Sequence, residues 1–280
     1  MWLIVFHWSP QAQGLQAQRL VVAANRDEFF HRPTEGLQEW AECPGLWAGR
    51  DLGAEPRHAA LQGLYGTWMG ITRQGRFAAV TNVRRPSEKR PHSLSRGELV
   101  SAFLAQDLPC AEYLLQVQAR ANRYNGFNLL VGELLPQLPH SEPQLWWYSN
   151  RSHQAPTKLN AGTYGLSNAL LDTPWPKVTR TVARFSTALA TRSSAEVFFD
   201  LLADPAWAAD HELPQTGVTL DWERSLSAPF VRTDNYGTRS SQWLEVCADG
   251  SLDYREKRFD PGMENIDITR LVHERSLVKK

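Results

Sequence analysis

The sequence predicts an α+β fold in which two stacked, mainly antiparallel sheets are covered by helices on their outer faces. Two observations predict this class. Several short segments are apolar almost throughout, which is typical of strands covered on both faces. The predicted strands follow one another in hairpins and the predicted helices come in groups, whereas a parallel sheet requires strands and helices to alternate. The 280 residues contain no internal repeat or linker, so we expect one domain over residues 1–280.

The strands are predicted from apolar runs and from the turns that separate them. Residues 2–8 and 19–25 are the first two runs. Segments 66–73 and 76–82 are separated by Gln74-Gly75, which indicates a tight hairpin. Four later segments complete the predicted strands, and Ala248-Asp249-Gly250 separates the last two of them: 127–133, 145–150, 238–246 and 251–259.

The helices are predicted from capping signals and prolines. A capping box at Ser95–Glu98 precedes one amphipathic run, and Pro109 begins a second helix. A third helix begins near Pro174 or Pro176 and continues to about Ala190. A second capping box, at residues 193–196, precedes a fourth helix. Residues 53–65 and 83–94 are polar loops between these elements; the second is basic, and it is either a solvated loop or a contact for an anionic ligand.

Composition excludes several classes of protein. The 30 basic and 30 acidic side chains balance, which removes the electrostatic reason to expect a nucleic-acid partner. The three cysteines are odd in number and widely spaced, which argues against a disulfide framework and suits a reducing compartment. The N-terminus is a poor signal peptide and no apolar run reaches the length of a membrane span. We therefore expect a cytoplasmic protein without a transmembrane segment.

Polar side chains recur where the apolar runs end. Asn25, Arg26 and Asp27 follow one run directly, and three other residues stand in similar places: Asn82, Asn168 and Arg239. If these ends meet at one sheet edge, their amide and guanidinium groups form a donor-rich pocket for an oxyanion or carboxylate. The alternative is structural, because asparagine is a common turn former and Arg26 with Asp27 forms a plausible ion pair.

Asn25-Arg26-Asp27-Glu28, followed by Phe29 and Arg32-Pro33, resembles the signature of the NRDE-motif family, which includes the animal transport and Golgi organisation protein. Further segments extend the resemblance in order along nearly the whole chain: AGRD (48–51), GTWMGIT (66–72), AAVTN (78–82), SRGELV (95–100), YNGFNLL (124–130), SNR (149–151), YGLSNALLDTPWPKV (164–178) and YGTRSS (236–241). The family is similar to N-terminal nucleophile hydrolases, which implies a four-layer αββα sandwich. It also implies a role in haem movement, since family members have been implicated in moving haem out of the compartment where it is made or stored.

The chain departs from the family pattern at its second residue. Most family members begin Met-Cys, and methionine removal then exposes a cysteine nucleophile with its own α-amine as the base. Here Trp2 follows Met1, so the nucleophile is missing, and the large second residue predicts that the methionine is retained. By analogy with amidases, the pocket is predicted to consist of Trp2, Asn25, Arg26, Asp27, Asn82, Asn168 and Arg239. A pocket that retains its polar side chains but lacks its nucleophile is predicted to bind a ligand and not to catalyse a reaction.

The first functional hypothesis is a haem-binding or haem-trafficking protein, with tryptophans against the planar ligand and arginines for the propionates. His7, His31 and Cys43 are the candidate metal ligands. The second is an amide or ester hydrolase with a non-standard nucleophile, for which Cys43, Ser9 and Ser167 qualify by residue type alone. The third is a scaffold without a ligand. The partners expected under the first hypothesis are haem or a related small molecule and, transiently, a membrane or a protein.

Overall fold

The computed structural model describes residues 2–14, 16–53, 63–135, 142–262 and 264–274. In these residues two antiparallel sheets lie between helical layers, so the predicted four-layer αββα sandwich is confirmed. The strands are β1 Trp2–Trp8, β2 Gln18–Phe29, β3 Thr34–Glu39, β4 Leu46–Asp51, β5 Met69–Thr72, β6 Arg76–Asn82, β7 Phe127–Glu133, β8 Gln144–Ser149, β9 Thr157–Lys158, β10 Gly162–Leu166, β11 Tyr236–Cys247, β12 Leu252–Phe259 and β13 Asn265–His273. The α-helices are α1 Gly97–Leu104, α2 Cys110–Ala119, α3 Pro176–Ala190, α4 Ala195–Leu202 and α5 Leu220–Ser225.

Each sheet is built from strands that are distant in the chain. One sheet has six strands in the order β10-β1-β2-β11-β12-β13, and the other has seven in the order β3-β4-β5-β6-β7-β8-β9. Neighbouring strands in both sheets pair in antiparallel fashion. Helices α3 and α4 pack on the six-stranded sheet, and α1 and α2 pack on the seven-stranded sheet.

The apolar runs are explained by burial on both faces of each sheet. In β1, Phe6 and Trp8 pack into the core between the two sheets, whereas Leu3 and Val5 pack against α3 and α4. A separate apolar cluster lies between the seven-stranded sheet and α1 and α2. Strands in this position have no wet face, so their sequences do not alternate between apolar and polar residues.

The predicted strands and the four predicted helices are present, and their ends differ from the predictions by a few residues. The two capping boxes are wrong, because neither α1 nor α4 has a side-chain cap hydrogen bond. Glu98 is buried and accepts a hydrogen bond from Tyr124 Oη at 2.6 Å, while Glu196 pairs with Lys257. Both glutamates therefore interact with residues that are distant in the chain, and a local capping motif does not predict these contacts.

Several elements were not predicted. The short or polar strands β3, β4, β9 and β13 and the short helix α5 lack a long apolar period. Most of the predicted loop 53–65 lies outside the described residues, and the loop 83–94 contains a single turn of 3₁₀ helix at Pro86–Glu88. Among the helices of the described residues, none has the length and apolar character that crossing a membrane requires.

Candidate functional site

The Asn25–Glu28 segment lies inside β2 and not beyond its end, which corrects the sequence-based interpretation. β2 continues to Phe29, paired with β1 on one side and β11 on the other. Successive side chains of a strand point to opposite faces of the sheet. Arg26 and Glu28 therefore face one way, and Asn25 and Asp27 face the other, toward the layer of α3 and α4.

Trp2 and Arg26 lie opposite each other on β1 and β2 and both line a cavity of about 520 Å³. The cavity is formed by residues from both sheets and by the start of α1. Three of the predicted pocket residues line it, namely Trp2, Arg26 and Asn82. The other lining residues are Glu28, Arg32, Asp51, Gly53, Thr67, Trp68, Val80, His92, Ser93, Leu94, Ser95, Arg96, Gly97 and Asn125.

Arg26 is a buried cation whose guanidinium forms no hydrogen bond with the residues that the structure describes. Its side chain is 4% exposed, and its guanidinium carbon lies 4.4 Å from the centroid of the Trp68 ring. The nearest carboxylate oxygen, on Glu28, is 3.9 Å from Nη2, and no hydrogen bond joins the guanidinium to another described residue. Burial lowers the pKa of Arg26, an effect that Glu28 partly offsets. A guanidinium carries five N–H donors, and those of Arg26 can bind an acceptor that enters the cavity.

Arg96 is the second cation available to a ligand. Its Nη1 donates to the carbonyl oxygen of Gly126 at 3.1 Å, and burial lowers its pKa to about 10. Arg32, in contrast, is already occupied, because it forms a two-point ion pair with Asp51 at 2.9 and 2.8 Å. Glu28 attracts both Arg26 and Arg96 and keeps them charged. An anion in this cavity therefore meets two guanidinium groups that have donors without an acceptor among residues 2–14, 16–53, 63–135, 142–262 and 264–274.

Asn25 does not line the cavity, contrary to the prediction. It is fully buried, and its Nδ2 donates to the carbonyl oxygens of Leu202 and Pro229 at 2.8 and 2.9 Å. Its Oδ1 accepts from Ser241 Oγ at 2.6 Å. These bonds attach the end of α4 to the sheet, so the role of Asn25 is structural.

Asp27 also lies outside the described cavity and belongs to a buried polar cluster on the helix side of β2. Its Oδ1 accepts from Thr238 Oγ1 at 2.8 Å, and Lys177 of α3 interacts with it electrostatically. Burial raises the pKa of Asp27 and lowers the pKa of Lys177 to about 8. The predicted ion pair between Arg26 and Asp27 is wrong in this arrangement, since the two side chains lie on opposite faces of the strand.

Asn168 lies next to the cavity but does not line it. It is buried, and its Nδ2 donates to the main-chain oxygen of Asn82 at 3.0 Å. Its neighbour Ser167 donates from Oγ to the main-chain oxygen of Trp2 at 2.8 Å. Asn168 therefore supports two lining residues from behind.

Arg239 is displaced from the cavity by a β-bulge. Thr238 pairs with Asp27 and Ser240 pairs with Arg26, so Arg239 has no opposite residue in β2. Its Nη1 donates to three main-chain oxygens that follow β2, those of Phe29, Phe30 and Arg32, at 3.0, 3.2 and 3.2 Å. Arg239 therefore stabilises this turn. It does not line the cavity, contrary to the prediction that it completes the pocket.

None of the three candidate metal ligands lines the cavity beside Trp2. His7 accepts or donates a hydrogen bond with Thr163 Oγ1 at 3.0 Å, His31 is exposed beside Phe29, and Cys43 lies in the turn after β3. Of the histidines in the described residues, His92 lines the cavity; it is exposed and has a left-handed φ of 61°. No group of three or more possible metal ligands occurs in the described part of the chain.

Sequence reasoning missed Glu28, Trp68 and Arg96 as lining residues. Glu28 lies within the quoted signature, and Trp68 and Arg96 lie within two other segments that carry the family resemblance. Arg96 was interpreted only as part of a capping box. Their presence in the segments that carry the family resemblance is the signal by which the sequence could have identified them.

A second cavity of about 530 Å³ adjoins the first and shares Glu28, Arg32, Asn82, Arg96 and Asn125 with it. Its other lining residues combine cations with an apolar wall: Phe29, Val83, Arg84, Arg85, Pro86, Glu88, Lys89, Gly126, Arg151, Val218, Trp222, Leu226 and Tyr236. Arg84 is neutralised by Glu223 through a buried ion pair at 2.8 Å. The two cavities together offer a polar, cationic end and a more apolar end to a single ligand.

Comparison with known proteins identifies relatives over nearly the whole chain. The family model described as Transport and Golgi organisation 2 matches residues 1–261. The Transport and Golgi organization protein 2 homolog of Bos taurus is 34% identical over 268 residues, covering 92% of each chain. The homolog of Homo sapiens is 34% identical over 267 residues, again covering 92% of each chain. Among solved structures, a mutant of the conjugated bile acid hydrolase from Clostridium perfringens has a TM-score of 0.42 and 10% identity, covering 97% of this chain and 92% of that one.

Proposed function

This chain belongs to the Transport and Golgi organisation 2 family, and we propose from this premise that it binds and carries an anionic small molecule in the cavity beside Trp2. The ligand that we propose is haem, bound for transport and not as a resident catalyst. We also propose the cytoplasmic location that the sequence predicts. A membrane or a protein is proposed as the transient partner that receives the ligand.

The unused donors of Arg26 are the single observation that carries the proposal. The Arg26 side chain is 4% exposed and lines the cavity, and its guanidinium has no hydrogen-bond acceptor among the described residues. The same donors become favourable when a carboxylate enters the cavity, because charge-assisted hydrogen bonds in a buried place are strong. Arg96 supplies a second cation in the same cavity, so a ligand with two carboxylates matches the pair.

Haem satisfies these requirements by its chemistry. Its two propionates suit Arg26 and Arg96, and its planar apolar ring suits the Trp2 and Trp68 side chains, whose centroids lie 6.2 Å apart. Each cavity, at about 520 and 530 Å³, lies within the range of about 300–1,000 Å³ that small-molecule sites occupy. His92 is the residue that we propose for an axial bond to the iron, in place of His7, His31 or Cys43.

The test is a titration of haem into the purified full chain, followed by the Soret band and by tryptophan fluorescence. We expect saturable binding at one site, and we expect Arg26→Met and Arg96→Met each to weaken it by about tenfold or more, since each removes charge-assisted hydrogen bonds. Arg239→Met is the matched control, because it removes an arginine that lines neither cavity and whose Nη1 donates to three main-chain oxygens. Equal affinity in all four proteins would refute the site.

Hydrolysis is the alternative that a parallel assay tests. Among the described lining residues of the first cavity there is no cysteine, and the position of the family nucleophile is occupied by Trp2. We expect no turnover of a panel of acyl amides and esters by the purified protein. Turnover that persists through purification and disappears in Asn82→Ala would replace the binding proposal with an enzymatic one.

A further inference from the structure

Strand β13 forms a free edge of the six-stranded sheet. It extends from Asn265 to His273, and in the described part of the chain β12 is the strand that it pairs with. The family match ends at residue 261, so this strand is an addition to the matched region. Native proteins protect edge strands with lysines, prolines, bulges or covering elements, since an unpaired strand edge readily pairs with another strand.

One face of β13 is anchored to the body of the protein. Leu271 packs against the core between the sheets, and the His273 ring lies 6.5 Å from the Trp47 ring, centroid to centroid. On the opposite face, Arg270 forms an ion pair with Asp253 of β12 at 2.8 Å. The strand is therefore held in place without any partner on its outer edge in the described residues.

The opposite face of β13 is exposed and carries three apolar side chains together with Arg270. Ile266, Ile268 and Val272 are 56%, 60% and 46% exposed. They alternate along the strand and so share one face of the sheet. The outer row of β12 beside them is charged, and no lysine or proline interrupts β13 itself. Three large β-branched side chains on an unprotected strand edge indicate a protein contact.

The sequence of β13 is complementary to itself in the antiparallel direction. When two copies pair around a two-fold axis at Thr269, each Ile266 lies opposite a Val272, and each Ile268 lies opposite an Arg270. Cross-strand pairs of β-branched residues stabilise a sheet. Moving the axis to Arg270 places the two arginines directly opposite each other, which is destabilising. With the two-fold axis at Thr269, each Arg270 instead retains the ion pair with Asp253 of its own chain.

We propose that β13 pairs with β13 of a second copy of this chain, joining the two six-stranded sheets into one continuous sheet through a two-fold axis at Thr269. The occupant is a second copy because the strand supplies both halves of each apolar pair. The resulting contact is isologous, so it closes after two copies and does not continue into a fibre.

The first test measures the molar mass of the full chain by light scattering and sedimentation from low to high micromolar concentration. We expect a dimer for the wild type and a monomer for the double variant Ile266→Lys/Ile268→Lys, because lysines on an edge strand prevent pairing. Leu115→Lys is the matched control, since Leu115 is 61% exposed on α2, and it should remain dimeric. Unchanged circular dichroism establishes that the double variant is folded. A wild type that is monomeric throughout, or a double variant that stays dimeric, overturns the proposal.

The second test examines the register. Directly opposite residues of an antiparallel pair have Cα atoms about 4.5–5.5 Å apart, a distance that a disulfide spans. We expect Thr269→Cys to form a covalent dimer on mild oxidation and Asp267→Cys not to, because the two-fold axis places each Asp267 opposite Leu271 of the other copy. Wild-type protein measures the background from its own cysteines. Failure of Thr269→Cys to cross-link, or equal cross-linking by Asp267→Cys, contradicts the register.

Discussion

The Asn168 side chain donates a hydrogen bond to the main-chain oxygen of Asn82 at 3.0 Å, and the Asn168 main-chain oxygen accepts one from the Arg84 main-chain nitrogen at 2.8 Å. Asn168 follows β10 of the six-stranded sheet, and Asn82 is the last residue of β6 in the other sheet. The two bonds thus join the sheets at the margin of the cavity that Asn82 lines.

Substitution of Asn168 by alanine tests the link. We expect Asn168→Ala to lower the free energy of unfolding by about 1–3 kcal/mol, since a buried carbonyl oxygen loses its donor. Denaturant unfolding measures the change. Asn122→Ala is the control, because Asn122 is exposed, and it should change stability by less than about 0.5 kcal/mol. Equal effects of the two substitutions would show that the link does not contribute.

Substitution of Asn25 separates structure from binding. Asn25→Ala leaves two buried carbonyl oxygens and the Ser241 hydroxyl without their partner. We expect a loss of about 2–4 kcal/mol in the free energy of unfolding. Haem affinity of the folded fraction should remain that of the wild type, because Asn25 faces away from the cavity. A large loss of affinity at full folding would place Asn25 in the site after all.

Substitution of Gly49 tests the support beneath Arg26. A Cβ atom at this position of β4 would lie 2.4 Å from Trp68 Cζ2 and 2.9 Å from the main-chain oxygen of Glu35. We expect Gly49→Ala to displace the Trp68 ring, to lower stability by about 1–3 kcal/mol and to weaken haem binding, since Arg26 stacks on that ring.

The double variant Gly49→Ala/Trp68→Phe tests whether Gly49→Ala acts by displacing the Trp68 ring. If the alanine acts through the tryptophan ring, the smaller phenylalanine relieves the overlap, and the two substitutions together cost less than the sum of their separate effects. Strict additivity would assign the effect of Gly49→Ala to the Glu35 main chain instead.

The buried Lys177 predicts a specific dependence of stability on pH. Burial lowers its pKa to about 8 from an ordinary value of 10.5, and Asp27 opposes this shift only in part. Between these two pH values the unfolded chain binds more protons than the folded chain, so stability rises with pH. We expect the wild type to gain up to about 3 kcal/mol relative to Lys177→Met over this window, since one pKa unit corresponds to about 1.4 kcal/mol.

Denaturant unfolding of both proteins at a series of pH values measures this difference. A constant difference across the window would mean that Lys177 keeps an ordinary pKa in the folded protein. Lys177→Arg, which retains its charge throughout the window, should not reproduce the wild-type gain.

The signature segment shows where sequence reasoning reached its limit. The apolar run before Asn25 was correctly assigned to a strand, and Arg26 lines a cavity with Trp2. The sequence contained no signal that the strand continues to Phe29, because that extension depends on pairing with β11, more than two hundred residues away. Once the strand continues, its period of two separates Arg26 from Asn25 and Asp27.

The sequence by itself determined the layered class of the fold, most of its strands and helices, the family, and the identity of Trp2 at the second position. These properties follow from apolar periodicity, turn residues and residue identity, which are local. Tertiary structure alone decided which polar side chains meet. The bulge at Arg239, the contact of Trp68 with Arg26 and the entry of Arg96 into the cavity each arise from residues distant in the chain. Long-range pairing of strands sets the register, and the register sets the face on which each side chain lies.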